Sequence, residues 1–125
     1  RKDDIYEKIS AGFLKAWKKA GFDFVRYSEI EHPSVSDDVA DDILNILLEE
    51  KQAVKVSDEM YTLMEYMEEA KEKIKGHLKE DPVITIAQVR DMFGTSRKSA
   101  KPILEYMDSI KVTKKTGAES ERVAY

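Results

Sequence analysis

Apolar and polar positions alternate most regularly in the last third of the chain, between Val83 and Arg122. Apolar residues occupy positions 84, 86, 89, 92 and 93, and Gly94 then interrupts the pattern. Thr95 and Ser96 follow with hydroxyl side chains, which are favoured at helix N-caps. A second apolar set recurs at spacings of three and four, as on one face of a helix: Ala100, Ile103, Leu104, Met107 and Ile110. The pattern predicts a short helix, a turn and a longer helix, which is a helix-turn-helix arrangement.

The basic residues that follow this second helix predict a pair of strands. Lys111–Lys115 is separated from Arg122–Tyr125 by a stretch that contains Gly117. A strand, a turn and a second strand directly after a helix-turn-helix form the wing of a winged helix. We therefore predict a winged helix in the C-terminal half of the chain.

The N-terminal half predicts the same order of elements. A helix over Asp3–Ala20 ends at Gly21, a turn follows over residues 31–34, and Ser36 caps a helix that runs to about Glu50. The two helices should bury these residues: Ile5, Ile9, Phe13, Ala16, Trp17, Val39, Ile43, Ile46 and Leu47. Residues 53–56 and 60–63 then predict two strands joined by the turn 57–59.

The order of helix, helix-turn-helix and hairpin thus occurs twice. A helix over Glu65–Glu80 precedes the second occurrence and stops before Pro82. The predicted fold class is mostly α with small β-hairpins, arranged as two tandem winged-helix domains. We place the first domain at residues 1–63 and the second at residues 64–125.

Composition restricts the class of protein further. The chain has 125 residues, no cysteine and no apolar run near the roughly 20 residues of a membrane span. It carries no signal peptide, and it begins with Arg1 rather than methionine, so we expect a cytoplasmic fragment of a longer protein.

The net charge of −4 conceals an asymmetry along the chain. Residues 1–68 carry 9 basic against 16 acidic side chains, or −7, whereas residues 69–125 carry 12 against 9, or +3. Within residues 94–115 the count is 6 against 2, or +4. Because phosphate binding depends on locally concentrated charge, the C-terminal half is the predicted binding surface.

The sequence offers no set of residues suited to catalysis or metal binding. It lacks the glycine-rich loop that cradles nucleotide phosphates, and His32 and His77 have no cysteine or carboxylate neighbours at ligand spacing. Adjacent carboxylates such as Asp37 and Asp38 diverge on a helix and are typical of a solvated face. We predict no enzyme activity, no metal and no cofactor for this chain, and we expect Trp17 to lie in the core.

The start of the second helix of the helix-turn-helix is the predicted phosphate site. Arg97, Lys98 and Lys101 lie on its first turns, where cations oppose the helix dipole, so their placement favours an anionic ligand. Pro102 lies past the first turn, where it removes a hydrogen bond and should bend the helix.

The same stretch closely resembles the last winged helix of the bacterial selenocysteine-specific elongation factor. The resemblance spans about Lys71–Lys115 and is carried chiefly by three runs: Thr85–Gln88, Phe93–Lys98 and Leu104–Tyr106. The family proline matches Pro102. Over residues 1–63 the likeness is only one of architecture.

The resemblance implies that this chain binds the selenocysteine insertion hairpin of an mRNA through its second domain. The factor would thereby bring selenocysteinyl-tRNA to a ribosome at a recoded UGA, and the full-length protein would also bind GTP through domains absent from this chain. The implied RNA-binding residues are Thr95, Ser96, Arg97, Lys98, Lys101, Lys114 and Lys115. The acidic first domain would serve as a spacer or face the ribosome.

This chain departs from the family pattern at several positions. Ser99 replaces a common aromatic residue, which removes a stacking group, and Lys111 replaces a common glycine before the wing. Residues 118–121 lengthen the turn of the wing before Arg122. Two other functions stay open: a winged-helix transcription regulator that inserts residues 96–109 into duplex DNA, and a protein-interaction module that uses its acidic face.

Overall fold

The computed structural model describes residues 4–30 and 36–125, which divide into two compact units with the boundary between Met64 and Glu65. In the first unit, α1 spans Asp4–Ala20, a 3₁₀ turn spans Tyr27–Glu29, and α2 spans Asp37–Glu49. Strands β1 (Ala53–Ser57) and β2 (Met60–Leu63) then form an antiparallel hairpin. The predicted turn at residues 31–34, with His32, lies outside the described residues.

The ends of the helices in the first unit follow from local chemistry. The Ser36 hydroxyl accepts a hydrogen bond from the Val39 amide at 3.4 Å, as expected of an N-cap. Gly21 ends α1 with φ +60°, a conformation that glycine adopts without strain. Lys51 has the same left-handed conformation (φ +60°) directly after Glu50, the C-cap of α2.

Two predicted faces in the first unit are partly wrong. Ile5 is 52% exposed and Val39 is 37% exposed, and the buried positions beside them are Tyr6 and Ala40. A shift of one residue rotates the buried face by about 100° around a helix, since the helix has 3.6 residues per turn. The prediction that Trp17 lies in the core is confirmed: Trp17 is buried and stacks on Phe13 with ring centroids 5.7 Å apart.

The second unit is a three-helix domain with a small sheet. Helix α3 (Met64–Glu80) begins at the unit boundary and precedes β3 (Ile84–Thr85) and α4 (Ile86–Met92). Helix α5 (Arg97–Ser109) and strands β4 (Thr113–Lys115) and β5 (Glu121–Ala124) complete it. The sheet has the antiparallel order β3-β5-β4, so the wing is anchored to the segment that starts α4.

The core of the second unit lies between α3, α4 and α5. Its side chains are almost fully buried: Met67, Ala70, Ile74, Ile84, Ile86, Val89, Ala100, Ile103, Leu104 and Met107. Ile110, which the apolar pattern assigned to this face, is 39% exposed because α5 ends one residue before it. His77 packs against the next loop, with Nε2 2.8 Å from the Val83 carbonyl oxygen.

The observed elements confirm the predicted fold class of helices with small antiparallel sheets. The order of α4, α5, β4 and β5 is that of the predicted helix-turn-helix and wing. The first unit shows helices followed by a hairpin, and the tandem winged-helix arrangement stays a prediction.

Candidate nucleic-acid interface

The turn between α4 and α5 sets the direction of the second helix. Gly94 has φ +60°, and its amide donates to the Asp91 carbonyl at 3.4 Å while the Thr95 amide donates to the Arg90 carbonyl at 3.0 Å. This pair of bonds is the Schellman motif, which closes a helix on a left-handed residue. The chain therefore leaves α4 in a fixed direction and enters α5 after only four residues, 93–96.

Ser96 is the N-cap of α5, as predicted, but not through its hydroxyl. Its side chain makes no capping hydrogen bond, and its carbonyl accepts from the amides of Ser99 and Ala100 at 3.1 and 2.9 Å. The amides of Arg97 and Lys98 lie at the open end of the helix, where no preceding turn supplies a carbonyl. Amides in this position, with the positive end of the helix dipole, attract anions.

The structure brings five of the predicted site residues together around this helix end. Ser96, Arg97 and Lys98 are exposed, and Thr95 and Lys101 are half-buried. We call the set the recognition-helix start: Thr95, Ser96, Arg97, Lys98 and Lys101. Three cations and two hydroxyls thus lie on the residues that precede and begin the helix with the open amides.

The opposite side of α5 packs in the core. Ser99 is buried, so this position does not offer a side chain to a ligand. Pro102 lies inside the helix and is also buried, and because proline has no amide hydrogen it leaves the Lys98 carbonyl without its usual donor. Burial, with a smaller contribution from the charge of Glu68, raises the pKa of Tyr106 above its ordinary value.

The wing contributes the remaining two predicted residues, and they differ in environment. Lys114 and Lys115 are both exposed on β4, opposite Val123 and Arg122 of β5. The Lys115 ammonium lies 3.4 Å from a carboxylate oxygen of Glu119, one of the residues that lengthen the turn. An anionic ligand must compete with Glu119 for Lys115, whereas Lys114 has no such competitor among the described residues.

A network of hydrogen bonds that the sequence pattern did not predict attaches the wing to α5. Arg122, grouped with the basic tail in the sequence, has 0% exposure, and its Nε donates to both carboxylate oxygens of Asp108 at 2.9 and 3.1 Å. Its Nη1 donates to the carbonyls of Glu119 and Glu121 at 2.7 and 3.0 Å. The Thr113 hydroxyl also donates to Asp108, at 2.6 Å. Arg122 is therefore structural and is not available to a ligand.

Lys111, which stands where the resemblance implies a glycine, has a left-handed backbone conformation. It has φ +63° directly after the α5 C-cap, and its amide donates to the Asp108 carbonyl at 3.1 Å. The following Val112 amide donates to the Met107 carbonyl at 2.9 Å, which completes a second Schellman motif. The lysine keeps the left-handed turn that a glycine would adopt more easily.

The boundary between the two units changes the net charge assigned to each part of the chain. Residues 1–64 carry 9 basic against 14 acidic side chains, or −5, and residues 65–125 carry 12 against 11, or +1. The second unit is thus nearly neutral in total, and its binding capacity depends on where its cations are exposed.

Two further observations limit the chemistry of the described residues. Within 4–30 and 36–125, no group of three or more His, Asp or Glu side chains is arranged to hold a metal ion. No helix in this part of the chain is long and apolar enough to cross a bilayer.

The fold and the site together define a winged-helix domain in the second unit. Residues 76–120 match the family model described as the winged helix of elongation factor SelB. This segment therefore belongs to the SelB winged-helix family, which confirms the resemblance seen between Lys71 and Lys115.

Two solved structures and one sequence relative extend the likeness beyond this segment. The chain is 31% identical over 109 residues to a selenocysteine-specific elongation factor from Desulfomicrobium baculatum, which covers 87% of this chain and only 16% of that protein. The mRNA-binding domain of E. coli elongation factor SelB, solved in complex with SECIS RNA, matches with a TM-score of 0.76 and 19% identity, over 98% of both chains.

A bacterial selenocysteine-specific elongation factor matches with a TM-score of 0.71 and 19% identity, over 98% of this chain and 18% of that one. At this level of identity, the two structural likenesses show that the fold is shared.

Proposed function

We propose that this chain is an RNA-binding module of a selenocysteine-specific elongation factor and that it recognises the selenocysteine insertion hairpin of an mRNA. One observation carries the proposal: the segment that matches the SelB winged helix, residues 76–120, contains the whole recognition-helix start. The E. coli relative that shares the fold was solved with SECIS RNA bound, which supports the same class of ligand.

The chemistry of the site suits a folded RNA. The major groove of an A-form stem is too narrow for side chains, so proteins read the backbone and the unstacked bases of the loop. Open amides and three cations at one helix end provide for several neighbouring phosphates. A compact positive surface of this kind fits the end of a hairpin, where the backbone bends and bases are extruded.

Each residue of the site has a proposed role. Arg97 is exposed and has a planar guanidinium, so we assign it to stacking on, or hydrogen bonding with, an extruded base. Lys98 and Lys101 contact phosphates, and the hydroxyls of Thr95 and Ser96 bond to phosphate or sugar oxygens. Lys114 and Lys115 of the wing contact the backbone of the stem, with Lys114 the stronger of the two because Lys115 is paired with Glu119.

The first domain, residues 1–63, has a different proposed role. Its excess of acidic side chains repels RNA, so we assign it to a spacer or to a ribosome-facing contact. In the complete factor, other domains would bind GTP and selenocysteinyl-tRNA, and the assembly would act in the cytoplasm during the recoding of UGA. This chain would contribute no catalytic step.

A binding assay tests the proposal directly. An RNA hairpin from a selenoprotein message, its loop mutants and a duplex DNA of equal length are titrated with the chain at several salt concentrations. Arg97→Ala should weaken hairpin binding by about 1–3 kcal/mol and reduce discrimination between loops. Lys114→Ala should weaken binding to every hairpin alike and lower the salt slope by about 0.7 to 0.9.

Lys55→Ala provides the control, since Lys55 is an exposed lysine on β1 of the first unit and its replacement changes the net charge equally. The proposal fails if the folded chain binds no hairpin at modest ionic strength. Tighter binding to duplex DNA would favour a transcription regulator, and binding to neither nucleic acid would favour a protein-interaction module.

A further inference from the structure

A second basic surface of the C-terminal unit lies at the other end of α5. A groove of about 510 Å³ runs between α3 and the base of the wing, and four lysines line it: Lys71, Lys75, Lys79 and Lys111. The rest of its lining is apolar or aromatic, including Ile110 and Tyr125, and contains no acidic residue. The groove therefore combines positive charge with an apolar floor.

The three lysines of α3 share one side of the helix, and among them Lys79 lies in the last turn, where the helix dipole favours a cation. Their spacing of four residues puts them on one side of α3, where like charges destabilise a helix slightly. None of them forms an ion pair among the described residues. Lys73, on another side of the same helix, is by contrast paired with Glu69 at 3.1 Å. The unpaired cations favour a polyanion as the occupant.

The aromatic residue of the groove narrows the class of polyanion. Tyr125 is 64% exposed, and the Lys111 ammonium lies 5.9 Å from the centre of its ring. Grooves that bind single-stranded nucleic acids combine cations along the backbone with aromatic side chains on which bases stack. A duplex presents its bases only at the edges, so an exposed ring beside a row of lysines fits a single strand better.

The groove is separate from the recognition-helix start. Residues 97 and 110 lie at opposite ends of α5, and thirteen residues of helix correspond to about 20 Å. A hairpin held at the first residues of α5 would leave the groove free for the strand that continues from its stem.

We propose that this groove, formed by Lys71, Lys75, Lys79, Lys111 and Tyr125, binds a single-stranded RNA segment that flanks the hairpin. The inference rests on the proposed function, because it adds a second contact to the same RNA. The proposal predicts that the chain binds an RNA more tightly when a single strand continues from the hairpin. The phosphates of that strand would contact the lysines, and its bases would stack on Tyr125.

Fluorescence anisotropy with the full 125-residue chain tests the groove with four probes. They are a blunt RNA hairpin, the same hairpin with a single-stranded extension of about ten nucleotides at its 5′ or its 3′ end, and the extension alone. At least one extension should increase affinity about tenfold. The double variant Lys75→Ala/Lys79→Ala and the variant Tyr125→Ala should each lose most of this gain and bind the blunt hairpin normally.

Two controls separate the groove from general effects of charge and folding. Lys8→Ala/Lys15→Ala removes the same charge from exposed positions of α1 and should keep the full gain. Tyr125→Phe keeps the ring and should also keep it. Polyglutamate of matched length should compete poorly, and equal competition would overturn the assignment to RNA.

The outcomes for the groove and for the proposed function are distinct. The groove proposal alone is overturned if the blunt hairpin binds normally but neither extension increases affinity. It is also overturned if the increase persists in the groove variants. Binding of the single strand alone, sensitive to Tyr125→Ala, with no binding of the hairpin, supports the groove and overturns the proposed function.

Discussion

The contact between Arg122 and Asp108 gives the sharpest test of how the wing is held. Arg122 is fully buried, and its Nε contacts both carboxylate oxygens of Asp108 at 2.9 and 3.1 Å. Asp108 is the acceptor for Thr113 as well. The substitution Asp108→Ala removes the acceptor of both donors, while the guanidinium stays in a site that excludes water.

The magnitude follows from the burial of the charge that remains. Removing one partner of a buried ion pair costs about 3–5 kcal/mol, because the other charge is left uncompensated, and the 22% exposure of the Asp108 side chain places this pair at the lower end of that range. The Thr113 hydroxyl loses its acceptor too, at about 1 kcal/mol. A 61-residue unit has a stability of only about 3–9 kcal/mol, so Asp108→Ala should remove most of it. The double variant Asp108→Leu/Arg122→Met removes both charges and should recover much of the loss.

Urea unfolding followed by far-UV circular dichroism measures these differences, and amide exchange of Thr113–Lys115 reports the wing itself. The control is Asp91→Ala, which breaks the Arg90–Asp91 contact of 3.1 Å, in which the Asp91 side chain is 73% exposed. An exposed pair of this kind contributes at most about 1 kcal/mol. A loss below about 1 kcal/mol for Asp108→Ala, or a double variant no more stable than this single one, would refute the reasoning.

Three further predictions concern the helix ends and one tyrosine. Lys51→Gly and Lys111→Gly should each raise the free energy of unfolding by up to about 1 kcal/mol in urea titrations, because glycine adopts positive φ without strain, while alanine at either position should bring no gain. Thr85→Ala should cost about 1 kcal/mol in the same assay, since the Thr85 hydroxyl caps α4. Burial, followed by the hydrogen bond to Asp41, raises the pKa of Tyr27 above its ordinary value of 10.0. The contribution of Tyr27 to stability is therefore complete below pH 10 and decreases as the pH rises further. Tyr27→Phe should flatten this decrease when the free energy of unfolding is measured against pH.

Local features of the sequence were sufficient to predict most elements of the second unit. Gly94 interrupts the apolar pattern and adopts the left-handed turn that ends α4, and Ser96 occupies the N-cap of α5. These signals are short-range, because the turn and the cap involve residues within five positions of each other. The exposure of Arg97 and Lys98 follows in the same way from the phase of the apolar residues in α5.

Tertiary contacts account for what the sequence did not predict. Arg122 belongs to a basic segment by composition, but it is buried because Asp108, 14 residues earlier, meets it when the wing folds onto α5. No periodicity encodes that contact. The error at Ile5 and Tyr6 has a similar cause: both side chains are large and apolar in part, and only packing against the rest of the unit selects which one is buried.

The buried pair also changes how the cations of the second unit are counted. Of its 12 basic residues, four form ion pairs within the unit: Lys73, Arg90, Lys115 and Arg122. The remaining eight form no ion pair among the described residues, and seven of them lie near the two ends of α5. Because the unit as a whole is nearly neutral, long-range attraction to RNA is weak, and affinity must come from these local contacts. A ligand that reaches both ends of α5 would gain more than one confined to the recognition-helix start, which is why the length of the RNA, and not only its loop, is the informative variable.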